Sequence, residues 1–119
     1  MKHVVGVSIG SSRRDHRVEL NIMGEQVVIE RRGTDGDMPA AVALLRELDG
    51  SVDAFGLGGL DLSLRAAGRE YFFREGRKFR DAVTRTPLLD GTGLKGAVEA
   101  DVVRHMRDGL HLDLASKRV

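Results

Sequence analysis

Hydrophobic and polar positions divide the chain into segments of two periods. Val4 to Ile9 is a β-branched apolar run closed by the polar "GSSRRD", which predicts a buried strand and then a turn. In "HRVELNIMGEQVVIERR", Val18, Leu20 and Ile22 alternate with polar residues, Gly24 marks a break, and Val27 to Ile29 resumes. That pattern predicts a β-hairpin with one buried face. The period then changes: Ala41, Leu44, Leu45 and Leu48 recur at i, i+3, i+4 and i+7 and form one helical stripe. Asp37 is the expected N-cap, Pro39 suits the first turn and Gly50 the C-terminal stop.

Further on, "VDAFGLGG" reads as a central strand running into a glycine turn. "LDLSLRAAGREYFFR" alternates at Leu60, Leu62 and Leu64, turns near Gly68 and returns through Tyr71 to Phe73, which predicts a second hairpin. A basic helix is expected from about Glu75 to Thr84 with Phe79, Ala82 and Val83 inward, then a short strand from Pro87 to Leu89. Leu94, Val98, Val102 and Met106 mark the stripe of a last helix. The order predicts one α/β domain over residues 1–119: a mixed β-sheet with two β-hairpins and about three helices. The closing "GLHLDLASKRV" reads like the entry to another strand, so 110–119 is expected to begin a following domain and the chain to stop short of it.

Composition narrows the function classes. At 119 residues there is room for one core, and 41% hydrophobic with 31% charged residues is an ordinary globular balance. Arginine far outnumbers lysine, yet the net charge is only +1, which argues against a dedicated nucleic-acid binder. With no cysteine there is no disulfide, thiol catalysis or thiolate metal site, and His3, His105 and His111 show no metal-ligand spacing. The apolar part of the N-terminus is too short for a signal peptide and nothing later reaches membrane-span length, so a cytoplasmic location away from membranes is expected. An unpaired hairpin edge would suit a homodimer.

Three stretches carry candidate chemistry. "GSSRRDH" gathers two hydroxyls, two guanidiniums and an imidazole after a strand. There, N–H groups near Gly10 and Ser11 and the Arg13 or Arg14 side chain could hold a carboxylate or phosphate. An exposed polar turn explains the same residues, and so does a phosphate loop of the sugar-kinase type. "FGLGGLD" either brings backbone close to a ligand, with Asp61 at its lip, or simply allows a tight turn against a neighbouring strand. "LLDGTGLKG" fits the G-x-G-x-x-G spacing of a dinucleotide turn, but too little chain follows to complete a dinucleotide-binding sheet. The alternatives are a helix entry capped by Thr92, or a turn that presents Asp90, kept ionised by the helix dipole, for proton chemistry. The arginines from Arg74 to Arg85 form a solvated face, or else an anion or nucleic-acid contact.

"DGTGLKGAVEADVV" followed by "LHLDLASKRV" resembles the junction in shikimate and quinate dehydrogenases, where an Asp-Gly-x-Gly turn opens the helix that leads to the cofactor domain. "VVGVSIGSSRRDH" is similar to that family's opening strand and serine loop, and "GTDGD" and "DAFGLGG" extend the similarity to quinate 5-dehydrogenase-like proteins over nearly the whole length. The resemblance implies a substrate-side domain that binds a small hydroxy acid, with NAD or NADP bound outside this chain. It implies Asp90 as the catalytic aspartate and Ser11, Ser12 and His16 as substrate-side residues; Ser8, Arg13 and Asp61 join them as substrate-binding candidates from their own places in these stretches. The sequence departs from the family in two places. "FGLGGLDLSLR" lacks the Asn-Val-Thr-x-Pro-x-Lys block that holds the lysine base, leaving Lys78 and Lys95 as chemical candidates only. The serine loop also runs into a hairpin where the family has a helix. A non-catalytic small-anion or partner-binding domain of the same ancestry is the other reading.

Overall fold

The computed structural model describes residues 1–118. Strand β1 (Lys2–Ser8) leads through a 3-10 turn (Ser12–Arg14) to β2 (His16–Ile22), which hairpins into β3 (Glu25–Gly33). Helix α1 (Met38–Leu48) then leads to β4 (Ala54–Gly58), followed by the hairpin β5 (Ser63–Ala66) and β6 (Arg69–Phe72). Helix α2 (Arg74–Arg80), the two-residue β7 (Leu88–Leu89) and α3 (Thr92–Arg104) complete the regular elements, and a π-type turn (His105–Gly109) ends α3. The main sheet has the order β2-β3-β1-β4-β7, antiparallel only between β2 and β3, while β5 and β6 form a separate two-stranded sheet. The α/β class, the mixed sheet, both hairpins and the three helices are as the sequence predicts.

Local rules account for the elements that hold. Met23 and Gly24 both take positive φ, the condition for a tight two-residue hairpin turn. Asp37 caps α1, accepting the Ala40 N–H at 2.9 Å, with Pro39 in the first turn and Gly50 at positive φ beyond the end. The core follows the β alternation. Val5 and Val7 on β1 and Phe55 and Leu57 on β4 point to one face, where they pack with Ala41 and Leu45 of α1, Phe79 of α2 and Ala82.

Topology explains why both helices lie on that face. The β3–α1–β4 and β4–α2–β7 connections step across the sheet in the same direction, and right-handed crossovers in one direction put their helices on one side. A step the other way, from β1 to β3, would put its helix on the opposite side. Here a strand, β2, makes that step, so the face of Val4, Gly6, Ile29 and Gly56 stays open.

Five expectations are corrected. The first hairpin has no covered face along β2: Val18, Leu20 and Ile22 lie on the open side, 40–46% exposed. Helix α2 ends at Arg80, because Asp81 and Ala82 pass into a turn, although Phe79 and Ala82 are buried as expected. The cap of α3 is Gly91, at φ 81°, rather than Thr92, which is the first helical residue. The apolar stripe of α3 buries nothing. Residues 110–118 form no strand, only a turn in which the Lys117 N–H meets the Leu114 carbonyl, and Val119 lies outside the described residues.

Candidate functional site

The carboxyl ends of β1, β3 and β4 meet at one edge of the sheet. Connections leave that edge in opposite directions, from β1 toward β3 and from β4 toward β7. Such a switch point is where open α/β sheets bind ligands. The 9–15 loop crosses over the end of β3, and Gly33 makes the crossing possible: a Cβ there would stand 2.7 Å from the Gly10 and Ser11 carbonyl oxygens. The loop is fastened on both sides. Thr34, Asp35 and Gly36 donate backbone N–H groups to the carbonyls of Ser8, Gly10 and Ile9, at 2.7–3.0 Å.

Within this frame Ser8 is buried, and its Oγ accepts the Gly10 N–H at 3.1 Å and Arg31 Nη2 at 3.0 Å. Arg31 Nη1 donates to the Ser11 carbonyl at 2.9 Å and to Asp15 at 2.8 Å, and Asp15 also accepts the Gly33 N–H at 2.7 Å. Ser11 Oγ accepts the Arg13 N–H at 3.2 Å. Ser12 donates its N–H and hydroxyl to Asp35 at 2.8 and 2.7 Å, and those two bonds hold the Asp35 carboxyl below its ordinary range. Ser11 and Ser12 thus shape the loop, while Arg13 and Arg14 have no side-chain partner among the described residues.

The position of Gly10 shows where the charge gathers. A Cβ built there would lie 2.9 Å from Arg14 Nη2, 3.2 Å from Arg31 Nη2 and 3.2 Å from Ser8 Oγ. Two guanidiniums therefore face one point, with Asp15 compensating only Arg31. Beside them runs a groove of about 340 Å³ on the open face. Gly6, Gly56 and Gly58 line its floor, Val4 and Ile29 its sides, and Ser8, Arg31 and His16 its polar end. His16 pairs with Arg31 across the hairpin, and its Nδ1 lies 2.9 Å from the Arg14 carbonyl oxygen. An apolar trough with a cationic end can hold a small organic anion, the guanidiniums gripping a carboxylate in bidentate fashion.

The remaining predicted residues form a second cluster. Asp90, after β7, accepts the Leu62 N–H at 2.7 Å and the Thr92 N–H at 2.9 Å, one on each oxygen. Burial by itself raises its carboxyl, but the bonds from Thr92 and Leu62 outweigh it and hold the group ionised below its ordinary value. Asp61 pairs with Lys95 Nζ at 3.0 and 3.2 Å beside a pocket of about 240 Å³. The hydrogen bond and charge of Asp61 keep Lys95 protonated beyond its ordinary range. The structure thus brings Ser8, Ser11, Ser12, Arg13 and His16 together at the β1 end, and Asp61 with Asp90 at the entry to α3.

A family model described as "Domain of unknown function (DUF8753)" matches residues 3–90. The chain belongs to that family. No curated protein and no solved structure matches it. The DUF8753 match runs from β1 to Asp90, so it includes the crossing loop, the groove and both guanidiniums, and α3 lies outside it.

Sequence reasoning missed Arg31 and Asp15. Arg31 had a readable signal: it continues the Val27, Ile29 alternation of β3, so a cation stands where the pattern calls for an apolar residue. Asp15 and Asp35 had none, because the groups they meet, Arg31 and the Gly33 N–H for Asp15 and the Ser12 N–H and hydroxyl for Asp35, are brought to them by the loop crossing. The dinucleotide reading of "GTGLKG" does not fit: β7 is a two-residue edge strand, and 105–118 adds no strand beside it. Among the described residues no group of His, Asp and Glu side chains could hold a metal ion, and no helix is long and apolar enough to cross a membrane.

Proposed function

We propose that the chain binds a small hydroxy acid of the quinate or shikimate type and serves as the substrate-side domain of a cytoplasmic oxidoreductase whose NAD(P) is held outside it. One observation carries the reading: Arg14 and Arg31 converge at Gly10, beside a glycine-floored groove whose polar end Arg31 lines. The ligand carboxylate takes the two guanidiniums, its ring lies along Gly6 and Gly56, and its hydroxyls meet Ser8 Oγ and His16. Close guanidiniums repel each other, so an anion between them gains from both. The resemblance of the Asp90 turn to the dehydrogenase junction supports the oxidoreductase part. The unpaired outer edge of β2 suits pairing with a second copy.

A second reading is favoured by the state of the titratable groups. Both Asp90 oxygens already accept N–H groups, and Asp61 keeps Lys95 protonated, so neither stands ready to take a proton. A non-catalytic binding domain of the same ancestry accounts for that. Calorimetric titration with quinate and shikimate, with an assay of their NAD(P)-dependent oxidation by the protein that carries this chain, separates the readings. Binding with turnover supports the dehydrogenase, and binding without turnover the binding domain. Arg14→Ala should weaken binding about tenfold, since a hydrogen bond to a charged group contributes roughly 1.5–3 kcal/mol. No binding of either acid overturns the hydroxy-acid reading.

A further inference from the structure

We infer that a second site, formed by β6 and α2, binds a nucleotide unit: a planar base joined to a phosphate. The site is a cavity of about 340 Å³ lined by Leu62, Phe72, Phe73, Arg74, Arg77 and Arg80, a size at the lower end of small-ligand pockets. It contains no residue of the carboxylate groove.

Three features of its wall point to this ligand chemistry. The first is uncompensated charge. No carboxylate lies within ion-pairing distance of Arg74, Arg77 or Arg80 among the described residues, and the segment from Arg69 to Arg80 holds five cations against Glu70 and Glu75. Of those two acids, Glu70 is already occupied, accepting the Ser63 hydroxyl at 2.7 Å and facing Arg65. The second is exposed aromatic surface. Phe72 and Phe73 stand 62% and 40% exposed at the cavity, although both are large apolar side chains next to a core that takes in Phe79 completely. The third is their arrangement. The Arg80 guanidinium already lies over the Phe72 ring, 5.2 Å from its centroid, so a flat cation and a flat ring form one stacking platform. Gly76 sets the depth of the floor, since a Cβ there would meet Leu62 Cα at 3.0 Å.

A simple anion would use the arginines and leave the rings without a purpose, and an apolar ligand would do the reverse. A base stacks on Phe72 and Arg80 while its phosphate takes the Arg74 and Arg77 guanidiniums, so one nucleotide uses both. The same chemistry belongs to a free mononucleotide and to one unit of a single strand.

The test titrates the intact chain with adenosine monophosphate, adenosine, inorganic phosphate and an oligoadenylate strand, following binding by calorimetry and by perturbation of the Phe72 and Phe73 ring signals. Adenosine monophosphate should saturate one site, bind at least tenfold tighter than either adenosine or phosphate, and move the ring signals. Phe72→Leu and Arg77→Gln, both at exposed positions, should each weaken it about tenfold while leaving the melting temperature unchanged. A strand that binds tighter per site than the mononucleotide identifies a nucleic acid as the source, and equal affinity identifies the free nucleotide. The site is overturned if phosphate alone binds as well as the nucleotide, if no ligand saturates, or if neither variant changes the affinity.

Discussion

Helix α1 buries Ala41 and Leu45 against the sheet, whereas α3 buries none of its residues and leaves Leu94 70% exposed. Both carry apolar residues at helical spacing, and the difference lies in what surrounds the stripe. In α1 the positions alternate by three and four and stay on one side of a helix of 3.6 residues per turn. In α3, Leu94, Val98 and Val102 recur every four residues and span about 80°, no wider than the stripe of α1. Ala97, Ala100 and Val103 fill further directions. No single face of α3 is apolar enough to drive it onto the body. The Cα radius of gyration, 17.3 Å, exceeds the roughly 13.5 Å of a compact domain of this length, which agrees with an arm standing off a packed body.

The comparison can be broken in several ways, of which the largest is in the body. Leu45→Ala removes a fully buried side chain between α1 and the sheet and should cost about 2–5 kcal/mol in chemical denaturation. A cost below about 0.5 kcal/mol would mean that the α1 packing is not the core. Gly33→Ala drives a Cβ into the crossing loop backbone, so a loss of about 1–3 kcal/mol is expected together with loss of hydroxy-acid binding. Full stability and unchanged binding would show that the loop does not cross where the structure has it.

The turn after α2 supplies a pH test. Asp49 accepts the backbone N–H groups of Thr84, Arg85 and Thr86 and the Thr84 hydroxyl, which hold its carboxyl far below the ordinary value of 3.8. Its folded pKa is depressed, so its contribution is complete above the unfolded value and fades as pH falls through the folded one. Asp49→Asn should therefore lower the melting temperature at neutral pH, with the gap from the unaltered chain narrowing only below about pH 4. A gap that stayed constant into strong acid would contradict that role. The smallest effect is expected in the arm: Leu94→Ser with Val98→Ser should change global stability by about 0.5 kcal/mol or less. A larger loss would mean that α3 packs in solution.

Legibility in the sequence followed the same division. Segments whose structure is set by near neighbours were readable, including the Asp37 cap, the turn at Gly24 and the opening strand. The open face was not, because it depends on which way the chain steps between strands, and no periodicity records that. Its sign in the sequence was a strand, β2, standing where the connection between two parallel strands usually carries a helix. The candidate site was legible as a loop but not as a geometry: "GSSRRDH" gave Arg14, while its partner Arg31 lies seventeen residues further on and meets it only because β3 ends beneath the loop. The readable Asp90 proved to have a structural use as well, tying Leu62 to the start of α3. The α3 stripe misled because Ala97, Ala100 and Val103 spread apolar positions round the rest of that helix, so no one side of it is distinctly apolar.

The central claim is that the two guanidiniums over Gly10 hold the carboxylate of a small hydroxy acid, and backbone amide signals of the isotope-labelled chain titrated with quinate and shikimate test it most directly. Saturable shifts should centre on Ser8, Gly10, Ser11, Arg31 and Gly58, and should weaken about tenfold in Arg14→Ala, consistent with the loss of one charged hydrogen bond. Shifts absent from those amides with either acid, or centred instead on Asp61, Lys95 and Thr92, would contradict it.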